Sequence, residues 1–300
     1  MNRTLARLLT FLPKALIRRV AWRYVAGERR EEVLDRIAEL EADGLLGMVD
    51  LLGENARHRG EVEAVIAEYS ALLADLSRRG TRGHLAVKPT HLGLRIDEEL
   101  ARESIARIVA RAEEVDGFVE IDMEDSSTTD ATLRIYRELR AAHANVGVAI
   151  QAYLRRSPED VQALLPLRPT IRICKGIYRE PASVALGGRQ EIRDAYLRLV
   201  EMIIDGGGYP AIATHDTWLV DRCLELVASR GLDASRYEFQ MLLGVGHALR
   251  PRILASGAKL RIYCPYGADW YDYSLRRLQE NPELVGYVLR GMIRGRGGRH

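Results

Sequence analysis

The 300-residue sequence predicts an α/β fold, a (βα)8 barrel of the TIM type, and three observations carry that expectation. From residue 45 onward, short apolar runs alternate with longer amphipathic stretches. Eight such strand–helix units fit in the span 45–281, close to the usual length of roughly 250 residues for this barrel. An open doubly wound sheet would want a glycine-rich phosphate loop after its first strand, and neither GxGxxG nor GxxxxGK[ST] occurs.

The elements follow in order. Leu5, Leu8, Leu9, Leu12, Leu16, Ile17 and Val20 recur at three- and four-residue steps, which predicts a helix that Pro13 divides. A second, charged helix is expected at 29–42, stopped by Asp43-Gly44. Strands are predicted at 46–52, 84–88, 118–122, 146–151, 170–174, 210–214, 237–241 and 259–263. These runs are rich in Val and Ile, as strands covered on both faces should be. Helices are predicted after each, at 57–79, 97–115, 128–142, 158–165, 190–205, 217–230, 246–256 and 271–280. No linker splits the barrel. The chain therefore divides into N-terminal helices (1–44), a barrel (45–285) and a basic tail (286–300).

Composition narrows the function. A 47% apolar and 29% charged chain is globular, not disordered. The formal charge is only +2, which argues against a protein built to coat nucleic acid. That figure averages unlike parts. Residues 1–30 hold eight cations and one acid, and 290–300 hold four arginines and no acid, so the body between them is acidic. Basic ends on an acidic body suggest an anionic surface as partner. Three scattered cysteines without a CxxC support neither a disulfide framework nor a zinc site, so a reducing compartment is expected. No run of about 20 apolar residues occurs, so neither a membrane span nor a clean secretory leader is expected.

A barrel places its site at the C-terminal ends of its strands. Those ends carry Glu54, Lys88, Asp122 with Met123, Gln151 with Tyr153, Arg172 with Lys175, Thr214-His215, Gln240 and Tyr263. A barrel that is only structural needs no such ring of both charges, and buried charges require partners. His215 as a metal ligand has no second histidine four residues on, so no metal is expected.

Several segments resemble the proline dehydrogenases. They are Val119-Glu-Ile-Asp-Met-Glu-Asp125 with Thr129-Asp-Ala-Thr-Leu133, Gln151-Ala-Tyr-Leu-Arg-Arg156, Arg172-Ile-Cys-Lys-Gly-Ile-Tyr178, Ala213-Thr-His215, Glu238-Phe-Gln-Met-Leu242, Ile262-Tyr-Cys-Pro-Tyr-Gly267 and Tyr273-Ser-Leu-Arg-Arg-Leu-Gln-Glu-Asn281. They run in order from about Leu45 to Asn281, and the length is that of the monofunctional bacterial enzymes. The resemblance implies a distorted barrel with its last helix over the active site. It implies FAD-dependent oxidation of L-proline to Δ1-pyrroline-5-carboxylate, by hydride transfer to flavin N5, with electrons passed to a quinone.

The same resemblance implies roles. Arg276 and Arg277 would clamp the substrate carboxylate, as adjacent guanidiniums can. Lys88 and Asp122 would order the amine end, the lysine keeping Asp122 ionised. Tyr178, Tyr263 and Leu242 would enclose the ring; bulky Tyr263 favours unsubstituted proline. Arg172 would lie near flavin N5, and Asp122 and Arg172 would be the catalytic pair. Met123, Gln151, Lys175, Gly176, Ile177, Thr214 and His215 would hold the cofactor. Glu54 would pair with Arg276 as a gate. Cys174, Ile177, Asp216 and Cys264 depart from the family pattern, so a proline derivative or another cyclic amine stays open as substrate.

Two other readings compete. A barrel of the methylenetetrahydrofolate reductase type would not account for Arg276-Arg277 or Tyr263. A retired barrel serving as a membrane-bound binding module need not keep Lys88, Asp122, Arg172, Arg276 and Arg277 together. A quinone reductant must meet a membrane. The basic amphipathic N-terminus is therefore expected at anionic lipid, with the protein cytoplasmic and peripheral on the inner face of the cell membrane.

Overall fold

The computed structural model describes residues 18, 21–271 and 273–275. Eight parallel strands close into a barrel in chain order: β1 (Leu46–Leu51), β2 (His84–Val87), β3 (Phe118–Ile121), β4 (Val146–Gln151), β5 (Thr170–Cys174), β6 (Tyr209–Ala213), β7 (Glu238–Leu242) and β8 (Lys259–Tyr266). Helix α1 (Arg30–Ala42) precedes β1. Helices α2 (Arg59–Arg78), α3 (Glu98–Glu113), α4 (Thr129–Ala142), α5 (Ser157–Leu164), α6 (Arg189–Asp205), α7 (Thr217–Ser229) and α8 (Arg250–Ala255) follow β1 to β7 in turn. After β8 the described residues 270–271 and 273–275 are helical. The predicted helix across Pro13, most of the predicted helix 271–280 and the tail 286–300 lie outside the described residues.

Most boundaries match the sequence expectation within two residues, and the exceptions have causes. Even the one-residue difference at 97 has a cause, since Asp97 is the cap of α3. Asp97 is extended (φ −163°) and accepts the Leu100 N–H at 2.9 Å. The expected helix 246–256 shrinks to six residues, because Gly246 takes φ +70° and Pro251 sits in the first turn. Strand β8 runs three residues further than expected, since Tyr263–Tyr266 pair in register with Met48–Leu51.

Helix α1 packs on β1 and β8 and buries Val33, Leu34, Ile37 and Leu40. Gly47 makes this approach possible: a Cβ there would stand 2.2 Å from Ile37 Cδ1. Arg30 ties α1 to α2, with Nε and Nη2 each 3.0 Å from Glu68 and Nη1 3.0 Å from Asp75. Tyr266 donates to the same Glu68 at 2.8 Å, so β8 joins the connection.

The strands are not apolar on both faces. Outward residues such as Val119, Ile121, Ile171 and Ile173 are fully buried in the apolar core. Alternate residues turn inward, and several are charged: Glu120, Arg172, Glu238 and Arg261 form ion pairs inside the barrel. The lower layer pairs Glu238 with Arg261 at 2.8 Å and places His84 3.3 Å from Glu120. Burial pushes His84 down to about 4, helped by Arg261, so the ring is neutral.

The segment 23–27 lies across the C-terminal ends of the last strands. Ala26 donates to Pro265 O at 2.7 Å, and Gly267 donates to Gly27 O at 3.1 Å. Gly244 (φ +74°) permits this, because a Cβ there would meet the Arg23 carbonyl oxygen at 1.8 Å. Gly244→Ala is therefore expected to cost about 2–3 kcal/mol in urea unfolding, from backbone strain plus overpacking. Wild-type stability in that variant would show that segment 23–27 does not dock there.

Candidate active site

The C-terminal ends of the strands surround one cavity of about 850 Å³. Glu54, Lys88, Asp122, Met123, Gln151, Arg172, Lys175, Gly176, Ile177, Tyr178, Thr214, His215, Leu242 and Tyr263 all line it. Arg276 and Arg277 lie outside the described residues. Tyr273, among the described residues after β8, also lines the cavity.

One wall is a buried ionic cluster. Arg172 donates from Nε to Gln240 at 2.8 Å, from Nη2 to Glu120 at 2.8 Å, and from Nη1 to Asp122. Tyr263 donates its hydroxyl to the other Asp122 oxygen at 2.9 Å. The Arg172 guanidinium also sits 5.2 Å from the Tyr263 ring centre. Lys88 lies 3.8 Å from Asp122, but its hydrogen-bonded carboxylate is Asp50, only 1% exposed.

The expected Lys88–Asp122 pair is present, and Asp50 joins it as a second carboxylate on the same ammonium. Burial opposes the charge on Lys88, yet Asp50 and Asp122 outweigh it and raise its pKa, so it stays an ammonium. Burial raises the Asp122 carboxyl, against the pull of Arg172 and Lys88, which both favour its charged form. Burial would also raise Glu120, but Arg172 and His84 bring it down to about 2. Tyr263 is held well above its ordinary value by burial and by Asp122 and Asp50, so it remains a donor.

The end of β4, between the strand ends that carry Asp122 and Arg172, suits a planar, hydrogen-bonding group. Gln151 donates its amide to the carbonyls of Met123 (3.0 Å) and Glu124 (2.7 Å). Its Oε1 is buried with no donor, which fits an N–H such as a flavin imide. Gly176 (φ +108°) presses its backbone to the Tyr153 ring, where a Cβ would come within 2.1 Å, leaving room on the cavity side. The volume lies within the usual range for cofactor sites, roughly 300–1,000 Å³. His215 accepts the Leu242 N–H on Nε2 at 2.8 Å, which puts its proton on Nδ1.

Lys175 reaches Asp216 at 3.4 Å, and Arg193 grips the same carboxylate at 3.0 and 2.7 Å. Burial would raise Asp216, but Arg193 and Lys175 bring it down to about 2. The aspartate that departs from the family pattern is thus the anchor of two cations beside the cavity. Ile177, another departure, is 49% exposed at the rim.

Sequence reading missed Asp50, Glu120 and Glu124. A signal existed: Glu120 stands two residues before Asp122, and Gln240 two after Glu238, the spacing of one strand face. Glu124 is only 4% exposed and binds Thr90 through both oxygens, at 2.8 and 2.6 Å. Burial pushes it up to about 7.

Among the described residues no group of His, Cys, Asp or Glu is arranged to hold a metal ion. The structure resembles proline utilization A from Bdellovibrio bacteriovorus inactivated by N-propargylglycine, with TM-score 0.81, 23% identity, and coverage of 87% of this chain and 32% of that longer one. That likeness concerns the fold. In sequence the chain is 35% identical over 274 residues to Proline dehydrogenase 1 of Bacillus subtilis strain 168, covering 91% of each. It is 36% identical over 283 residues to Proline dehydrogenase of Deinococcus radiodurans, covering 92% of this chain and 91% of that protein. The family profile described as Proline dehydrogenase matches residues 33–288. The barrel, its ionic wall and these similarities agree: the chain belongs to the proline dehydrogenase family.

Proposed function

We propose that this oxidoreductase of proline converts L-proline to Δ1-pyrroline-5-carboxylate with FAD as hydride acceptor at N5, the electrons then passing to a quinone. The observation that carries the reading is the joining of Lys88, Asp122, Arg172 and Tyr263 in one bonded wall of the cavity that Gln151 also lines.

The residues have distinct work. Substrate proline brings a carboxylate and a secondary amine, and the amine must be neutral before its neighbouring C–H can leave as hydride. Lys88 and Arg172 are fixed cations beside that position, and nearby positive charge favours the neutral amine. Asp122 offers a carboxylate there, oriented by the Tyr263 hydroxyl and by Arg172. Arg172 would also supply positive charge to a flavin held in this cavity, which would take up negative charge on reduction. Tyr178, Leu242 and Tyr263 bound the ring space and exclude water. Met123, Gln151, Gly176, Ile177, Thr214 and His215 would hold FAD, Gln151 through its unpaired Oε1. Lys175, anchored on Asp216, would face its phosphates. Arg276 and Arg277 are assigned the substrate carboxylate, and Glu54 the gate over it.

No helix among the described residues is long and apolar enough to cross a membrane. We assign the eight cations of residues 1–30 to peripheral contact with anionic lipid, where a quinone would be met.

Three outcomes are expected. The FAD-loaded protein is yellow, and L-proline bleaches it without oxygen; colour that survives saturating proline would sink the proline reading. Arg277→Met raises KM for proline about 100-fold with flavin still bound, the loss of two charge-assisted bonds. A retained KM would remove the clamp. Deleting residues 1–25 abolishes co-sedimentation with anionic liposomes; undiminished sedimentation would assign lipid contact elsewhere.

A further inference from the structure

The turn that carries Glu54 is held from outside the ionic wall. Gly53 takes φ +152° and Asn55 takes φ +55°, a left-handed conformation that asparagine tolerates. Gly53 lies against His91, whose Nε2 would stand 2.2 Å from an added Cβ. Asn55 donates its N–H to Thr90 Oγ1 at 3.2 Å, and Ala56 donates to Thr90 O at 3.0 Å. Thr90 in turn gives both its N–H (2.8 Å) and its hydroxyl (2.6 Å) to the Glu124 carboxylate. The Glu124 carbonyl then receives the Gln151 amide at 2.7 Å. A lateral chain of hydrogen bonds thus crosses four strand ends, from the Glu54 turn after β1 to the glutamine at the end of β4.

Every link is spent within this chain. Thr90 is 1% exposed, and its hydroxyl both donates to Glu124 and accepts from Asn55. Burying a carboxylate this deeply is costly, so an apolar contact would support a merely structural loop at lower cost. What the carboxylate adds is direction: two oxygens fix both Thr90 donors, and the fixed hydroxyl fixes the Asn55 amide beside Glu54.

We propose that Thr90 and Glu124 are positioning residues, which register the Glu54 turn against Gln151 and so set where Glu54 stands over the substrate. The inference rests on the proposed gate. It predicts that losing the chain weakens substrate capture while the reacting groups, Asp122 and Arg172, stay in place.

The test uses the full FAD-loaded chain with Thr90→Val, Thr90→Ser and Glu124→Gln. Thr90→Val keeps the side-chain shape but removes the hydroxyl. It is expected to raise KM for L-proline about tenfold, with kcat within about twofold and flavin per chain unchanged. Amide exchange at Asn55 should accelerate with it. Thr90→Ser should restore both quantities, and Glu124→Gln, with one acceptor oxygen for two donors, should fall between. Unchanged KM, unchanged exchange, equal losses in kcat and kcat/KM, or a serine variant that behaves like the valine one would each overturn the proposal. If proline fails to reduce the wild-type flavin, the substrate reading has failed. Exchange at Asn55 then decides the chain of bonds by itself, acceleration supporting it and constancy refuting it.

Discussion

The interior of this barrel is organised around one guanidinium. Arg172 leaves β5 and contacts β1, β3 and β7 through Met48, Glu120, Asp122 and Gln240. It is only 6% exposed, and an ion so placed costs several kcal/mol unless its bonds are well made. The compensation comes from two carboxylates and a fixed amide, and each of those is tied further. Glu120 meets His84; Gln240 meets Glu238 at 2.8 Å; Glu238 meets Arg261; Arg261 donates to Gly47 O at 2.9 Å. Removing Arg172 would leave Glu120 and Asp122 as uncompensated buried charges, so the network and the cavity floor stand or fall together.

Charge balance gives this network a direction. Below, Glu238 and Arg261 neutralise one another and His84 is neutral. Above, Arg172 and Lys88 face Glu120, Asp122 and Asp50, three carboxylates to two cations. Burial raises the Asp122 carboxyl, whereas Arg172 and His84 outweigh burial at Glu120 and hold it low. Two acidic residues of the same strand face thus differ in their partners, because Glu120 gains His84 and the Gln240 amide beside Arg172.

The helical ring explains how the described residues after β8 come to line the cavity. Helix α1 packs on β1 and β8, beside α2, through Ile37 on Gly47 and the Arg30 bridge. That position on the outside of β8 is thereby filled by chain that precedes the barrel. The residues after β8 turn instead towards the cavity, where Tyr273 lines the wall and Trp270 meets Trp22 edge-on at 5.2 Å. The Gly47 and Gly244 contacts show that close backbone approach, not surface charge alone, seats residues 21–42.

The sequence by itself determined the element order and the family. Apolar runs and amphipathic stretches differ in period, and period is a local property. Motifs in order along the chain also placed fourteen predicted site residues that line one cavity, because strand ends in a barrel converge whatever their separation in sequence. What it did not disclose was partnership. Lys88 could be matched with Asp122 from motif knowledge, but its second carboxylate, Asp50, comes from the adjacent strand β1 in a register that only the β1–β2 pairing sets. Glu120, Glu238 and Arg261 read as interruptions in apolar strands until the closed barrel turned their common face inward. The Thr90–Glu124 bond likewise joins loops 34 residues apart. Local pattern settles which face a residue takes; tertiary packing alone decides which charge it meets there, because that depends on the stagger and curvature of eight strands at once.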